Sequence, residues 1–180
     1  MDGLHGPRAA EELGRSAWAG VLVGVGVVAA VDEIVFHQLL RWHHFYDRST
    51  SGMGLVSDGL LHAGSLIALV AGFFLFADLN RRGVASRRSV LGGFLAGAGG
   101  FQVWDSFIHH KLLRLHQIRY DVDVLVYDVV WTVGGFLVLA VGVVLVWRAR
   151  ADDAHGGRGR GRDQAPAVGS DSDSDSDGPR

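Results

Sequence analysis

The chain has 180 residues, of which 48% are apolar, 26 are Gly and none is Cys. The lack of cysteine excludes a disulfide framework, a thiolate zinc site, an iron–sulfur cluster and a cysteine nucleophile. The formal net charge is −2, and residues 1–150 alone sum to +1 because the last 30 residues carry 7 Asp and 4 Arg. This balance provides no basic field of the kind that binds nucleic acid, so we expect no nucleic-acid partner.

Apolar residues are concentrated in four blocks separated by short polar stretches. A membrane-spanning helix needs about 20 mainly apolar residues, and 59–77 and 129–147 meet this requirement. The other two blocks are apolar in their first half and then reach ionisable residues, beginning at Asp32 and at Asp105. We predict an all-α, multi-pass integral membrane protein, embedded in the lipid bilayer over residues 17–147, with a four-helix bundle at about 17–41, 58–78, 90–114 and 124–147.

The two ends of the chain differ in composition from these blocks. Residues 1–16 are charged, and we interpret them as a cytoplasmic N-terminal segment. Residues 148–180 run into repeated Ser-Asp, a composition too poor in apolar residues to offset chain entropy, which predicts a disordered cytoplasmic tail. The basic loop 81–88, together with Arg148 and Arg150, follows the positive-inside rule, so we expect both termini on the cytoplasmic side of the cell membrane.

One motif occurs twice, 73 residues apart. The segment DEIVFHQLLRWH at 32–43 matches DSFIHHKLLRLH at 105–116 in the pattern D-x4-H-x-L-L-R-x-H. Membrane composition alone would repeat Leu and Val, but it would not repeat Asp, His and Arg. The repeat predicts two tandem helical hairpins related by a pseudo-two-fold axis along the membrane normal, an arrangement known from parallel-repeat membrane proteins.

The third apolar block is also rich in glycine. A phosphate-binding loop would need a preceding strand and a nearby Lys, and the sequence has neither here. Small residues instead let membrane helices approach each other closely. We expect close helix packing at Gly92, Gly93, Gly97, Gly99 and Gly100.

The repeated motifs also resemble those of a known family. VDEIVFHQLLRWHH at 31–44, DGLLHA at 58–63, FQVWDSFIHHKLLRLHQIR at 101–119 and YDVVW at 127–131 are together similar to the domain-of-unknown-function family 2243, a family of predicted prokaryotic multi-pass membrane proteins. The resemblance covers roughly residues 17–147. It implies a membrane location and a multi-pass fold, and it leaves the function to the chemistry of the side chains.

Ionisable side chains concentrate at one level of the predicted bundle. With a rise of about 1.5 Å per residue, the ends of helices one and three and the starts of helices two and four meet near the outer membrane boundary. Imidazoles and carboxylates that project inward from four helices are how helical metal sites are built. The candidate metal ligands are His37, His43, His44, His62, His109, His110, His116, Asp32, Asp58, Asp105 and Asp128.

His37 and His110 are the strongest candidates for binding a metal or a haem, because they occupy the same position in both repeats. Imidazole with carboxylate and without thiolate favours zinc, copper, iron or manganese. From the helical rise we expect Asp32 and Asp105 to lie about 7 Å deeper in the membrane than these two imidazoles. We also expect His44 to share a helix face with His37 if the first helix continues that far.

Three functions are compatible with these residues. The favoured one is a membrane protein that binds a transition metal or haem and has a redox or metal-handling role. The second is a structural or assembly protein, in which His and Asp pairs only hold the helices in register. The third is a small proton or ion transporter that uses Asp32 and Asp105, since ionisable groups within a membrane usually pair or line a cavity. The sequence assigns no enzymatic reaction and no oligomeric state.

Overall fold

The computed structural model describes residues 7–119 and 122–163, and all the regular structure in these residues is helical. Two short π-helices continue the first and third α-helices without a break. The all-α prediction with four helices is therefore confirmed. The elements in chain order are α1 (Pro7–Asp32), π1 (Glu33–Leu39), α2 (Ser51–Arg81), α3 (Arg87–Trp104), π2 (Asp105–Leu112) and α4 (Val124–Asp163).

Three of the α-helices extend further at their polar ends than the apolar blocks predicted. α1 begins at Pro7 instead of near 17, α2 begins at Ser51 instead of near 58, and α4 continues to Asp163 instead of ending near 147. A helix satisfies its own backbone hydrogen bonds, so polar composition beyond the apolar block does not have to end it. Residues 148–163 of the expected tail are thus helical, whereas 1–6 and 164–180 lie outside the described residues.

Three helical segments are long and apolar enough to cross a membrane: Arg8–Leu39, Ser51–Arg81 and Val124–His155. Large apolar side chains such as Phe74 and Leu137 are exposed on α2 and α4, as expected where lipid surrounds a helix. α3 does not reach the same hydropathy because it is rich in glycine and begins with two arginines. It lies in the interior instead, between α1 and α4.

The helices pack side by side in the order α2, α1, α3, α4. α1 and α3 form the centre, and their backbones touch: a Cβ added to Gly24 would overlap the carbonyl oxygen of Phe94, and one added to Gly93 would overlap that of Ala17. Gly100 has nothing within 4 Å of an added Cβ, so its predicted role in packing is wrong. The expected close packing is found at Gly92, Gly93, Gly97 and Gly99.

Candidate metal centre

Both central helices change from α to π geometry at the start of the repeated motif. A π-helix bonds residue i to residue i+5, so residues five apart lie above each other, whereas in an α-helix they are about 140° apart around the axis. Asp32 Oδ2 consequently lies 3.6 Å from His37 Nε2, and Asp105 Oδ2 lies 3.2 Å from His110 Nε2. The expected offset of about 7 Å counts the rise between backbone positions along the helix, and it stays a prediction because these distances join side-chain atoms.

Each π-helix is followed by the same backbone turn. Arg41 and Arg114, which are 73 residues apart, have φ values of 50° and 49°. This left-handed conformation is uncommon for residues other than glycine, and here it folds the chain back towards the helix end. As a result, His43 and His116 are buried.

The turns bring together four imidazoles, two from each repeat. The rings of His43 and His116 are stacked, with their centroids 4.6 Å apart and 4° between their planes. The centroid of His37 lies 4.6 Å from that of His43, and the centroid of His110 lies 4.7 Å from that of His116. The cross pairs are 6.2 Å for His37 with His116 and 6.4 Å for His43 with His110. Each distance is therefore almost the same as the distance between the two histidines at the corresponding positions of the other repeat.

One set of closely spaced ligand atoms comes from the second repeat. Asp105, His110 and His116 each offer one ligand atom, and these atoms lie within 4.8 Å of one another. The Nε2 atoms of His110 and His116 are 3.0 Å apart. His116 Nδ1 donates to the backbone carbonyl of Phe45 at 2.9 Å, so its Nε2 carries the lone pair that accepts from His110 Nε2, and Asp105 Oδ1 lies 3.9 Å from it. This set offers two nitrogens and one oxygen to a cation.

A second set surrounds His37 in the first repeat. Its Nδ1 lies 2.9 Å from Glu33 Oε2 and 3.1 Å from Asp58 Oδ1, and these three residues also offer ligand atoms within 4.8 Å of one another. Glu33 is completely buried, and its second oxygen accepts from Gln38 Nε2 at 2.8 Å. Glu33 is not among the ligands expected from the sequence; the signal that could have found it is an ionisable residue inside an apolar span.

Two predicted ligands come from α2, with different outcomes. Asp58 is buried, and both of its carboxylate oxygens contact an imidazole. Oδ1 lies 3.1 Å from His37 Nδ1, and Oδ2 lies 2.6 Å from His44 Nδ1. His44 reaches Asp58 from the loop, because π1 ends before it. The condition under which His37 and His44 would share a helix face is therefore not met. His62 joins neither set of ligand atoms, and its Nδ1 is buried without a hydrogen-bond partner among the described residues.

The two other predicted ligands lie around the second repeat. His109 Nδ1 is 2.8 Å from Asp105 Oδ1, so its ring orients that carboxylate. Asp128 Oδ1, from α4, is 3.6 Å from His110 Nδ1. His110 therefore lies between two carboxylates, one at each ring nitrogen, as His37 does in the first repeat.

These imidazoles and carboxylates form one layer at the ends of α1 and α3, and the charges of this layer are unusual for a buried region. Four carboxylates are buried, and within the described part of the chain they form ion pairs with histidine only, never with Lys or Arg. In the loops, burial and the neighbouring imidazoles hold the pKa of His43 well below its usual range. Burial also lowers the pKa of His116 to about 4, although Asp105 opposes the shift. Both imidazoles are thus neutral at pH 7, which is the form that binds metals.

Two polar cavities open onto the layer. A cavity of about 810 Å³ is lined by His37 and Asp58, among other residues. A second cavity, of about 360 Å³, is lined by residues that include His110 and His116. Each half of the layer therefore borders a cavity of its own.

The helices and the layer together define a helical integral membrane protein with a buried group of His and acidic residues at one end of its two central helices. The chain belongs to the domain-of-unknown-function family 2243, described as a predicted membrane protein, whose model matches residues 19–149. No curated protein and no solved structure matches the chain. The resemblance carried by the repeated motifs is confirmed, and the function has to be argued from the layer itself.

Proposed function

We propose that this protein is a membrane metalloprotein that holds a transition-metal ion between Asp105, His110 and His116. The observation that carries the proposal is the 3.0 Å approach of two imidazole Nε2 atoms beside a buried carboxylate. Two nitrogens bound to one tetrahedral zinc ion, with bonds of about 2.0–2.1 Å, would lie about 3.3 Å apart. Only a small movement of the two rings is needed to accept the ion.

The buried carboxylate supports an ion over purely structural His and Asp pairs. Asp105 is buried, and among the described residues its ion-pair partners are histidines alone. A buried charge without compensation is unfavourable. An ion bound by Asp105, His110 and His116 would compensate this charge and would satisfy several ligand atoms at once.

The packing of the rings favours a metal ion over haem. The stacked imidazoles of His43 and His116 contact those of His37 and His110 at 4.6 and 4.7 Å. The space that a flat macrocycle would need beside His37 and His110 is therefore filled by imidazole. A compact ion fits between ligand atoms that already lie within 4.8 Å of one another.

The test is elemental analysis, with an absorbance scan, of the protein purified in mild detergent without a His tag. We expect a stoichiometric transition metal and no haem absorbance. The double variant His110→Ala, His116→Ala should lose the metal, and His155→Ala, an exposed histidine on α4, should retain it. A folded wild-type protein that carries no metal, and that cannot be reloaded with zinc, copper or iron, would contradict the proposal and favour a structural role.

We propose further that the layer faces the outside and that both termini face the cytoplasm. The opposite end of the molecule carries the arginines of the α2–α3 loop, and Arg82 forms an ion pair there with Glu12 of α1. Short basic segments stay on the cytoplasmic side. A reporter fused to the C-terminus should be active only in its cytoplasmic form, and activity of a periplasm-dependent reporter alone would reverse the orientation.

A further inference from the structure

We propose that the centre holds two metal ions, the second of them bound in the first repeat. This inference rests on the proposed function, because it places the second ion beside the first. The ligands are the residues that stand 73 positions before Asp105, His110 and His116, namely Asp32, His37 and His43.

The first repeat reproduces the geometry of the second at these side chains. His37 Nε2 faces Asp32 Oδ2 at 3.6 Å, and the corresponding distance in the second repeat is 3.2 Å. The centroid distance from His37 to His43 is 4.6 Å, against 4.7 Å for its counterpart. These two distances of the first repeat are therefore close to those of the second, although of the two sets only Asp105, His110 and His116 already have ligand atoms within 4.8 Å of one another.

The unpartnered nitrogens of the first repeat also point to a ligand. The side chain of His37 is completely buried, and its Nδ1 lies within hydrogen-bond distance of Glu33 and Asp58. Because carboxylate oxygens accept, Nδ1 carries the proton and Nε2 presents its lone pair towards Asp32. That Nε2 and His43 Nδ1 both lack a hydrogen-bond partner in the described ranges. A carboxylate that holds the other ring nitrogen is the usual support of a metal-bound histidine.

The charge balance of the layer independently favours two ions. Asp32, Glu33, Asp58 and Asp105 are buried, and their ion-pair partners over 7–119 and 122–163 are histidines alone. One divalent cation would neutralise two of these four carboxylates, and two cations would neutralise all four. Charges buried without compensation are strongly unfavourable.

The Glu33, His37 and Asp58 set offers an alternative position for the second ion. An ion there would displace the proton of His37 Nδ1 and leave Nε2 unpartnered, whereas an ion beside Asp32 uses Nε2 and keeps both hydrogen bonds of Nδ1. The two positions lie on opposite edges of the His37 ring. Paired ions in two-metal sites are about 3.5–4 Å apart, so magnetic coupling between the ions distinguishes the positions.

The experiment uses copper(II), which binds nitrogen and oxygen sites tightly and is visible by electron paramagnetic resonance. The full-length protein in detergent is stripped with a chelator, reloaded with copper(II), washed and analysed for copper per chain. We expect two copper ions with the spectrum of a coupled pair. His43→Ala should retain one ion with an isolated copper spectrum, and so should His43→Gln, which better preserves the side-chain volume. His155→Ala, which removes an exposed histidine of α4 outside the layer, should retain two.

Other outcomes separate this inference from the proposed function. One copper per chain in the wild-type protein, unchanged by His43→Ala, would overturn the second ion and leave the first in place. A folded protein that binds no copper would overturn both. Two uncoupled ions, one of them lost in Glu33→Gln and retained in Asp32→Asn, would overturn the position beside Asp32. Circular dichroism of each variant confirms that the helices are intact.

Discussion

The two ends of α1 and α3 meet different packing requirements. Away from the layer, the helices touch backbone to backbone at glycines such as Gly24 and Gly93. At the layer, the same two helices continue as π1 and π2 and bury acids and imidazoles. The glycine end needs only small side chains, because carbon and carbonyl atoms pack there without directional bonds. The polar end needs distances correct to a few tenths of an ångström, so it depends on the register that the glycine end sets.

The strongest way to break this dependence is Gly93→Ala. The added Cβ would overlap the Ala17 carbonyl, and overpacking of this kind typically costs up to about 3 kcal/mol. We expect a loss of about that size in the free energy of unfolding, measured by denaturant titration in detergent micelles, together with loss of metal. Gly100→Ala adds the same methyl group where nothing lies within 4 Å, so it should retain the metal and, because Ala favours a helix by about 1 kcal/mol over Gly, it should not lower the free energy of unfolding. Equal losses in the two variants would contradict the dependence.

The polar end can be weakened by itself through pH. In the metal-stripped protein, unfolded His116 takes up a proton near its ordinary pKa of 6.5, whereas folded His116 does so only near 4. Between these values the unfolded state binds more protons, so the free energy of unfolding falls as the pH is lowered. The loss should be up to about 3 kcal/mol, reached near pH 4 and absent above pH 7. Unfolding curves of His116→Gln should show a smaller fall across this interval; an identical fall would assign the pH dependence to other groups.

A smaller effect tests how the layer supports its imidazoles. Asp128 Oδ1 faces His110 Nδ1 at 3.6 Å, and loss of such a carboxylate typically lowers metal affinity about 10–100-fold. We expect Asp128→Asn to show this loss in competition with a chelator while the helices remain intact. Asp123→Asn, in the exposed loop before α4, should bind as the wild-type protein does. Unchanged affinity in Asp128→Asn would show that this carboxylate does not support the site.

The number and type of the main helices, and the level at which the polar side chains meet, could be read from the sequence. Hydropathy and length identify apolar helices because the bilayer imposes the same requirement on every span. The repeat of Asp32 and His37 as Asp105 and His110 singled out the acids and imidazoles that later proved to be neighbours. These signals are local, so no tertiary contact was needed to find them.

Only the tertiary structure decided which atoms of these residues face one another. The change to π geometry places Asp32 and His37 on the same side of the helix instead of about 140° apart around its axis, and the left-handed turn at Arg41 returns His43 to the centre. The tertiary structure also brings Glu33 into the layer and leaves His62 outside both sets of ligand atoms. The π-helices and the left-handed turns are local conformations that are intrinsically less favourable than their alternatives. Such conformations are held by contacts between distant segments, which hydropathy and residue spacing do not encode.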